Sequence, residues 1–387
     1  MGKLRNAIQG LRKTDVVFFS LVMLLLTTGL VMLLSASYPS AYYEMGKPTY
    51  YFVRQSAFAL LGLVVMLAIG SHDYIWLRSI ARPALSAALL LLLLVLIPGI
   101  GVMRNNARRW ISVAGFFTFQ PSELAKLAVI IFFSASIAAK KDQMRTWRKG
   151  VRPYLALLLL VSSLVLVEPH LSGAMLILGT GAVLMIVGGI RLRWILGAAF
   201  LAFLGICALL SGVFSYGQSR IAMWQDPFSD AQGAGYQLSQ SLIAIGSGGL
   251  TGVGFGRSQQ KFLFLPEEHN DFIFAVVCEE LGLIGASLIL LLFMALILRG
   301  FQIALQARDR FGALLAVGIC SLLAMQIFLN ISVVTGLLPT TGISLPFFSY
   351  GGTALFLQLA EMGIVLSVSG QRVQTGRSPH LKNRRSI

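Results

Sequence analysis

Long apolar runs alternate along this chain with short polar segments that carry nearly all of its charge. Runs of roughly 17 to 25 residues suit helices crossing a hydrocarbon core of about 30 Å, not the short alternating strands of a membrane barrel. Backbone amides in lipid must pair within their own segment, so each run is expected to be helical. The expected spans lie near residues 16–36, 53–70, 80–98, 122–139, 153–167, 172–189, 193–211, 283–298, 312–334 and 353–370, about ten in all. The predicted fold is an all-α polytopic membrane protein. It has a tail at 1–15, a transmembrane domain at 16–370 and a basic tail at 371–387, with a long loop at 212–271 between spans seven and eight.

Composition agrees with that pattern. A chain of 387 residues that is 56% hydrophobic and 12% charged has more apolar surface than one water-soluble core can hide. Lysine and arginine test the orientation, because short cytoplasmic loops collect them. With the N-terminus inside, Lys3 to Lys13, Arg78 and Arg82, Lys140 to Arg152, Arg191 and Arg193, Arg299 to Arg310, and Arg372 to Arg385 all fall on the cytoplasmic side. Both termini are expected in the cytoplasm, and the long loop outside it. The net charge of +16 then reflects topology and anionic lipid headgroups, so nucleic acid is not an expected partner. The first run ends at Ser35-Ala36-Ser37 but exceeds a signal-peptide core, so it is read as an anchored span. Cys207, Cys278 and Cys320 lack paired spacing and read as small apolar residues.

Three segments expected on the outer side depart from short, bland loops. Arg104 to Lys126 places Arg108 and Arg109 on the side that should lack cations, so an anion is expected to meet them. Pro121-Ser122 suits a helix start, and Glu123 and Lys126 share one face there, as an ion pair or as part of a site. The 212–271 loop carries apolar and aromatic pieces, so short helices on or in the membrane are expected. Its glycines at Gly246 to Gly256 read as close backbone packing rather than a phosphate loop. Its end, Leu265 to Gly282, crowds Glu267, Glu268, His269 and Asp271 before an apolar run, where ionisable groups mark chemistry. Asp271 is the candidate catalytic residue, with a helix N-cap at Asn270 or Asp271 as the alternative. Thr335 to Thr353, rich in Pro and Gly, suits a non-helical loop lining a cavity, in which Ser349 and Tyr350 either bind a ligand or shape turns. Glu279, Glu280 and Glu361 read as structural partners of cations.

These motifs together resemble the SEDS family (shape, elongation, division and sporulation), which includes FtsW, RodA and SpoVE. The resemblance rests on Arg108-Arg109-Trp110-Ile111, Phe119-Gln120-Pro121-Ser122-Glu123 with Lys126, Leu265-Pro266-Glu267 through Asp271-Phe272-Ile273-Phe274, Glu279-Glu280-Leu281-Gly282, and Leu345-Pro346-Phe347 with Ser349-Tyr350-Gly351-Gly352. It covers nearly the whole chain and looks closer to FtsW and SpoVE than to RodA. Two positions depart from the family pattern. Asn270 stands where Thr is common, and His170 follows Pro169 where an acidic residue is usual, so His170 is left outside the candidate site.

The resemblance implies a peptidoglycan glycosyltransferase that polymerises lipid II at the outer face of the cytoplasmic membrane, in the division septum for the FtsW branch. The donor already carries a good leaving group, so activating the acceptor hydroxyl is what remains, and one carboxylate base suffices. Asp271 is expected to be that base. Arg108, Arg109, Glu123, Lys126, Lys261, His269 and Ser349 are expected to bind substrate, the cations complementing the departing pyrophosphate. The resemblance also implies Mg²⁺ or Mn²⁺ as a candidate cofactor, without dedicated ligand spacing. Expected partners are a class B penicillin-binding protein and other division or elongation membrane proteins. A lipid II flippase is the competing class, but it needs polar groups along the whole crossing, and charge here gathers at one end. A scaffold would not need outer cations.

Overall fold

The structure is a computed structural model that describes residues 14–104, 107–113, 117–191, 193–194, 196–197, 224–230, 232–233 and 235–371. Among the described residues eight helical stretches are long and apolar enough to cross a membrane, and one apolar helix is shorter. In chain order the helices are α1 (Val16–Met45), α2 (Tyr50–Ser71), α3 (Trp76–Leu96), α4 (Pro121–Lys140), α5 (Arg152–Val167), α6 (Leu171–Val187), α7 (Tyr236–Gly248), α8 (Ile273–Leu305), α9 (Arg310–Val334) and α10 (Gly352–Gly370). A π-helical turn at Trp147–Val151 leads into α5. Nine of the expected spans have a helix here. The expected seventh span at 193–211 falls almost wholly outside the described residues, as do Cys207, Tyr216, Arg220 and most of both tails.

The fold is helical as expected, with one small addition. Residues that follow α3 form a small antiparallel sheet of β1 (Gly101–Arg104), β2 (Ala107–Val113) and β3 (Phe117–Phe119). Ile111 is the register point, opposite Gly101 on one side and Phe119 on the other. Val102, Ile111, Val113, Phe117 and Phe119 suit pleated backbone.

Helices in lipid gain little from apolar contact alone, so close backbone approach has to hold them. The α2–α10 pair shows this: a Cβ on Gly363 would stand 2.7 Å from the Met66 carbonyl oxygen, and one on Gly62 would stand 2.6 Å from Leu359. Polar latches close the bundle at the end expected to be cytoplasmic. Asp15 caps α1 through the Phe18 amide at 2.8 Å, receives Arg299 of α8 at 2.7 Å, and donates its own N–H to Ser369 of α10 at 3.0 Å. Nearby, Tyr74 donates to Asp309, the α9 cap, at 2.8 Å.

At the opposite end α8 departs from its expected limits, beginning at Ile273 and breaking at Gly282 (φ 66°, ψ −172°). Expected residues 283–298 are thus only its inner portion. The break frees backbone groups that lipid would leave unpaired, and the glycine-rich loop after α7 takes them up. Val253 and Gly254 donate to the Glu279 and Glu280 carbonyls at 3.0 and 3.1 Å, while Leu283 and Ile284 donate to Gly249 and Leu250 at 2.9 and 3.1 Å. Only glycine fits this crossing, since a Cβ on Gly252 would lie 2.1 Å from the Glu280 oxygen. The reading of these glycines as close packing therefore agrees with the fold.

Candidate active site

A cavity of about 1350 Å³ opens at this end of the bundle, walled by β2, the starts of α2, α4 and α6, the 266–271 and 342–351 loops, and α10. The 335–353 segment is largely non-helical and lines it, as expected.

Asp271 lies on the cavity wall just before α8. Its turn is fixed by the Asn270 and Phe272 amides, which donate to the Glu267 carbonyl at 3.0 and 3.2 Å. Its carboxylate runs beside Gly342, where a Cβ would approach Oδ2 to 3.3 Å. The helix-cap alternative does not describe it: Phe272 occupies the N-cap, and no side chain caps α8. Among the described residues no hydrogen bond reaches either carboxylate oxygen, and the residue lines the cavity. Burial, and next the nearby Glu267 charge, push its titration from 3.8 up to about 7, against the opposing pull of Arg109 and His269.

Lys126, 4% exposed, pairs with Glu123 at 2.8 Å on the first turns of α4, and both line the cavity. Arg109 reaches the same wall from β2. Its Nε donates to the Glu168 carbonyl at 3.0 Å, and its Nη2 donates to the Pro169 carbonyl. The guanidinium thereby fixes the corner between α5 and α6 and brings a positive charge to the cavity. Arg108 does not line it.

His269 also faces the cavity. Its ring stacks on Tyr51 at 4.5 Å, and its Nδ1 lies 3.3 Å from Glu268, which accepts from Ser40 of α1. Ser349 lines the cavity and braces two loops, because its hydroxyl accepts from the Leu345 amide at 2.6 Å and donates to the Asn270 carbonyl at 2.7 Å. Lys261 stands apart. It is buried against Glu280 at 2.7 Å and Ser35 at 3.0 Å, outside the cavity wall. Glu280 thus partners a cation as expected, whereas Glu279 does not: it accepts from the Ser258 hydroxyl and the Gln259 amide.

Sequence reasoning passed over several wall residues. His170 and Gln120 hydrogen-bond at 3.2 Å beside Lys126, and Arg54 and Tyr51 form part of the α2 wall. Glu361, from α10, enters the cavity near Lys126 and Glu123. A carboxylate in the middle of an apolar span was the signal for Glu361, read from sequence as a structural partner of a cation; Gln120 stood in a motif of the family resemblance without a role of its own. Among the described residues no group of three or more His, Cys, Asp or Glu side chains is placed to hold a metal ion, so these residues do not form a protein cage for Mg²⁺ or Mn²⁺. The arrangement unites a carboxyl group titrating near neutral pH with Arg109 and Lys126 in the wall of one cavity. That combination suits deprotonating a hydroxyl while charge develops on an anionic leaving group.

Known proteins share this architecture. A cell cycle protein family comprising FtsW, RodA and SpoVE matches residues 15–374. Stage V sporulation protein E of Bacillus subtilis is 42% identical over 92% of this chain and 96% of its own length. The probable peptidoglycan glycosyltransferase FtsW of Geobacter metallireducens is also 42% identical, over 93% of this chain and 95% of its own. Among solved structures, a chain from work on the coordination of polymerization and crosslinking by a peptidoglycan synthase complex aligns with a TM-score of 0.78 at 31% identity. It covers 93% of this chain and 99% of that one. Thermus thermophilus rod shape determining protein RodA aligns with a TM-score of 0.70 at 30% identity, over 93% and 98% of the two chains. Sequence, helix order and the cavity-bearing bundle thus lead to one assignment: this chain is a multi-pass membrane protein of the FtsW, RodA and SpoVE family.

Proposed function

We propose that the protein is a peptidoglycan glycosyltransferase that polymerises lipid II, with Asp271 as its general base. Asp271 takes the proton from the acceptor sugar 4-hydroxyl as that oxygen attacks the donor anomeric carbon. The C–O bond to the pyrophosphate breaks with inversion, and the undecaprenyl pyrophosphate leaves with the bonding pair. Lys126 and Arg109 offset the charge that grows on the leaving group. The observation that carries this reading is the carboxylate of Asp271, unbonded among the described residues, brought near neutrality and set in one cavity with these cations. Glu123 holds Lys126, and Ser349 holds the base's own loop. Arg108 and Lys261 are not in the cavity and have no part in this step.

The FtsW relatives support a role in cell division, and this reading puts the work at the septum, on the outer face of the cytoplasmic membrane. The solved synthase complex supports a penicillin-binding protein as the working partner, and this reading makes it a class B transpeptidase accompanied by other division or elongation membrane proteins. A Mg²⁺ or Mn²⁺ ion enters this reading only as a companion of the substrate diphosphate, and no step depends on a protein-held metal.

The test is polymerisation of labelled lipid II by the purified protein with its cognate transpeptidase, wild type against Asp271→Asn at matched folding. Glycan from the wild type alone is expected. Equal glycan from both would remove Asp271 from the chemistry, and lipid II crossing vesicles without glycan would favour transport.

A further inference from the structure

We propose that His170 is a neutral hydrogen-bond donor to the diphosphate of a lipid-linked substrate, acting beside Arg109 and Lys126. This deepens the glycosyltransferase reading and rests on it for the identity of the ligand.

His170 is the N-cap residue of α6, and its carbonyl accepts from the Ala174 amide at 3.2 Å. The positive end of a helix of 17 residues therefore meets the cavity here. The ring is 8% exposed and fixed by its neighbours. Nδ1 lies 3.2 Å from the Gln120 amide nitrogen and 3.3 Å from the Ser122 hydroxyl. An amide nitrogen only donates, so Nδ1 accepts and the ring proton sits on Nε2. Nε2 has no protein partner among the described residues, is not sealed from open space, and belongs to a ring that lines the cavity.

The surroundings hold that tautomer neutral. Burial, then Arg109 and Lys126, lower the imidazole from 6.5 to about 3. The preceding corner adds little negative charge, because burial pushes Glu168 up to about 8, keeping its sealed carboxyl mostly protonated at neutral pH. Arg109 grips the two carbonyls just before His170 and so sets the ring's position as well as the local charge. Two cations, a helix N-terminus and a non-titrating N–H together suit a ligand with several anionic oxygens. A neutral donor adds directional binding there without adding to the repulsion among the cations.

The experiment is titration of farnesyl diphosphate, with farnesol as control, into the full-length detergent-solubilised protein, wild type against His170→Ala and His170→Gln. Glutamine can return a neutral N–H near the Nε2 position. Binding about tenfold weaker in His170→Ala, largely restored in His170→Gln and unchanged for farnesol, is expected. Equal binding by His170→Ala and wild type would overturn the proposal, as would failure of the glutamine variant to restore it or of wild type to bind the diphosphate. If His170→Ala does not fold, nitrogen-15 histidine spectra of the wild type decide: an Nε2–H neutral ring at pH 7 supports the assignment, and an imidazolium or Nδ1–H ring overturns it. Binding needs no turnover, so these outcomes are separate from the lipid II polymerisation result with Asp271→Asn.

Discussion

Asn330 of α9 donates its side-chain amide to the backbone carbonyl of Asp271 at 2.8 Å, and the same nitrogen reaches the Ile343 carbonyl at 2.6 Å. One side chain thus ties the base's turn to the loop on the other side of its carboxylate, without using the carboxylate. Replacing Asn330 with Leu should misplace the base while leaving the cations alone. A kcat reduced by about 10² with a nearly unchanged KM is expected, because small displacements of a reacting group are costly. Steady-state polymerisation over a range of lipid II concentrations measures the split.

A base titrating near 7 also fixes the pH response. Below that value the rate should fall about tenfold per pH unit as Asp271 takes up a proton, with a plateau above it. A rate flat from pH 5 to about 8 would count against the base assignment.

Stability should move in the opposite direction. The ordinary carboxyl value is 3.8 and the folded value about 7, so the folded state binds more protons between them. Stability therefore falls as pH rises through that window. Asp271→Asn has no charge to bury, so its thermal unfolding temperature should exceed that of wild type at pH 8 and approach it near pH 4.

Gly252→Ala tests the crossing at the α8 break. A methyl group there would collide with the Glu280 carbonyl, and φ of +81° disfavours a side chain in any case. A loss of stability of about 1–3 kcal/mol is expected. Faster hydrogen exchange should be confined to residues 249–254 and the outer turns of α8.

Lys261 and Glu280 form a buried pair that carries no chemistry in this reading. Lys261→Met alone should cost about 3–5 kcal/mol by stranding a carboxylate, whereas Lys261→Met with Glu280→Leu should cost much less. Comparing the three proteins by thermal unfolding distinguishes a packing role from substrate binding. A substrate-binding lysine would instead raise KM in both variants.

The helices were legible in the sequence because lipid imposes one rule on every span, and α4 and α9 follow their apolar runs within two residues. The break in α8 was not legible in its position. At Gly282 the freed backbone groups are taken up by Gly249, Leu250, Val253 and Gly254 of a distant loop, which Gly252 lets approach closely. Among candidate site residues, Asp271, Glu123 and Lys126 stood out as charge in an apolar chain. Lys261 was a weaker candidate, and sequence could not show that Glu280 and Ser35 were waiting for it. His170 was set aside for departing from a family pattern, although its neighbours Gln120 and Ser122 come from a different helix start.

Helix α1 also serves as a depth gauge. Its 30 residues reach about 45 Å, beyond a hydrocarbon core of about 30 Å. Ser35, which meets Lys261, lies about 28 Å along it from Val16, and Ser40, which meets Glu268, about 36 Å. With Val16 at one edge of the hydrocarbon core, the loop bearing Asp271 is expected at the height of the far phosphate layer. A lipid-borne substrate can present its diphosphate there while its chain stays in its own leaflet. Encounter then follows the mole fraction of substrate among lipids, so diluting it with inert phospholipid should slow the enzyme even at constant bulk concentration.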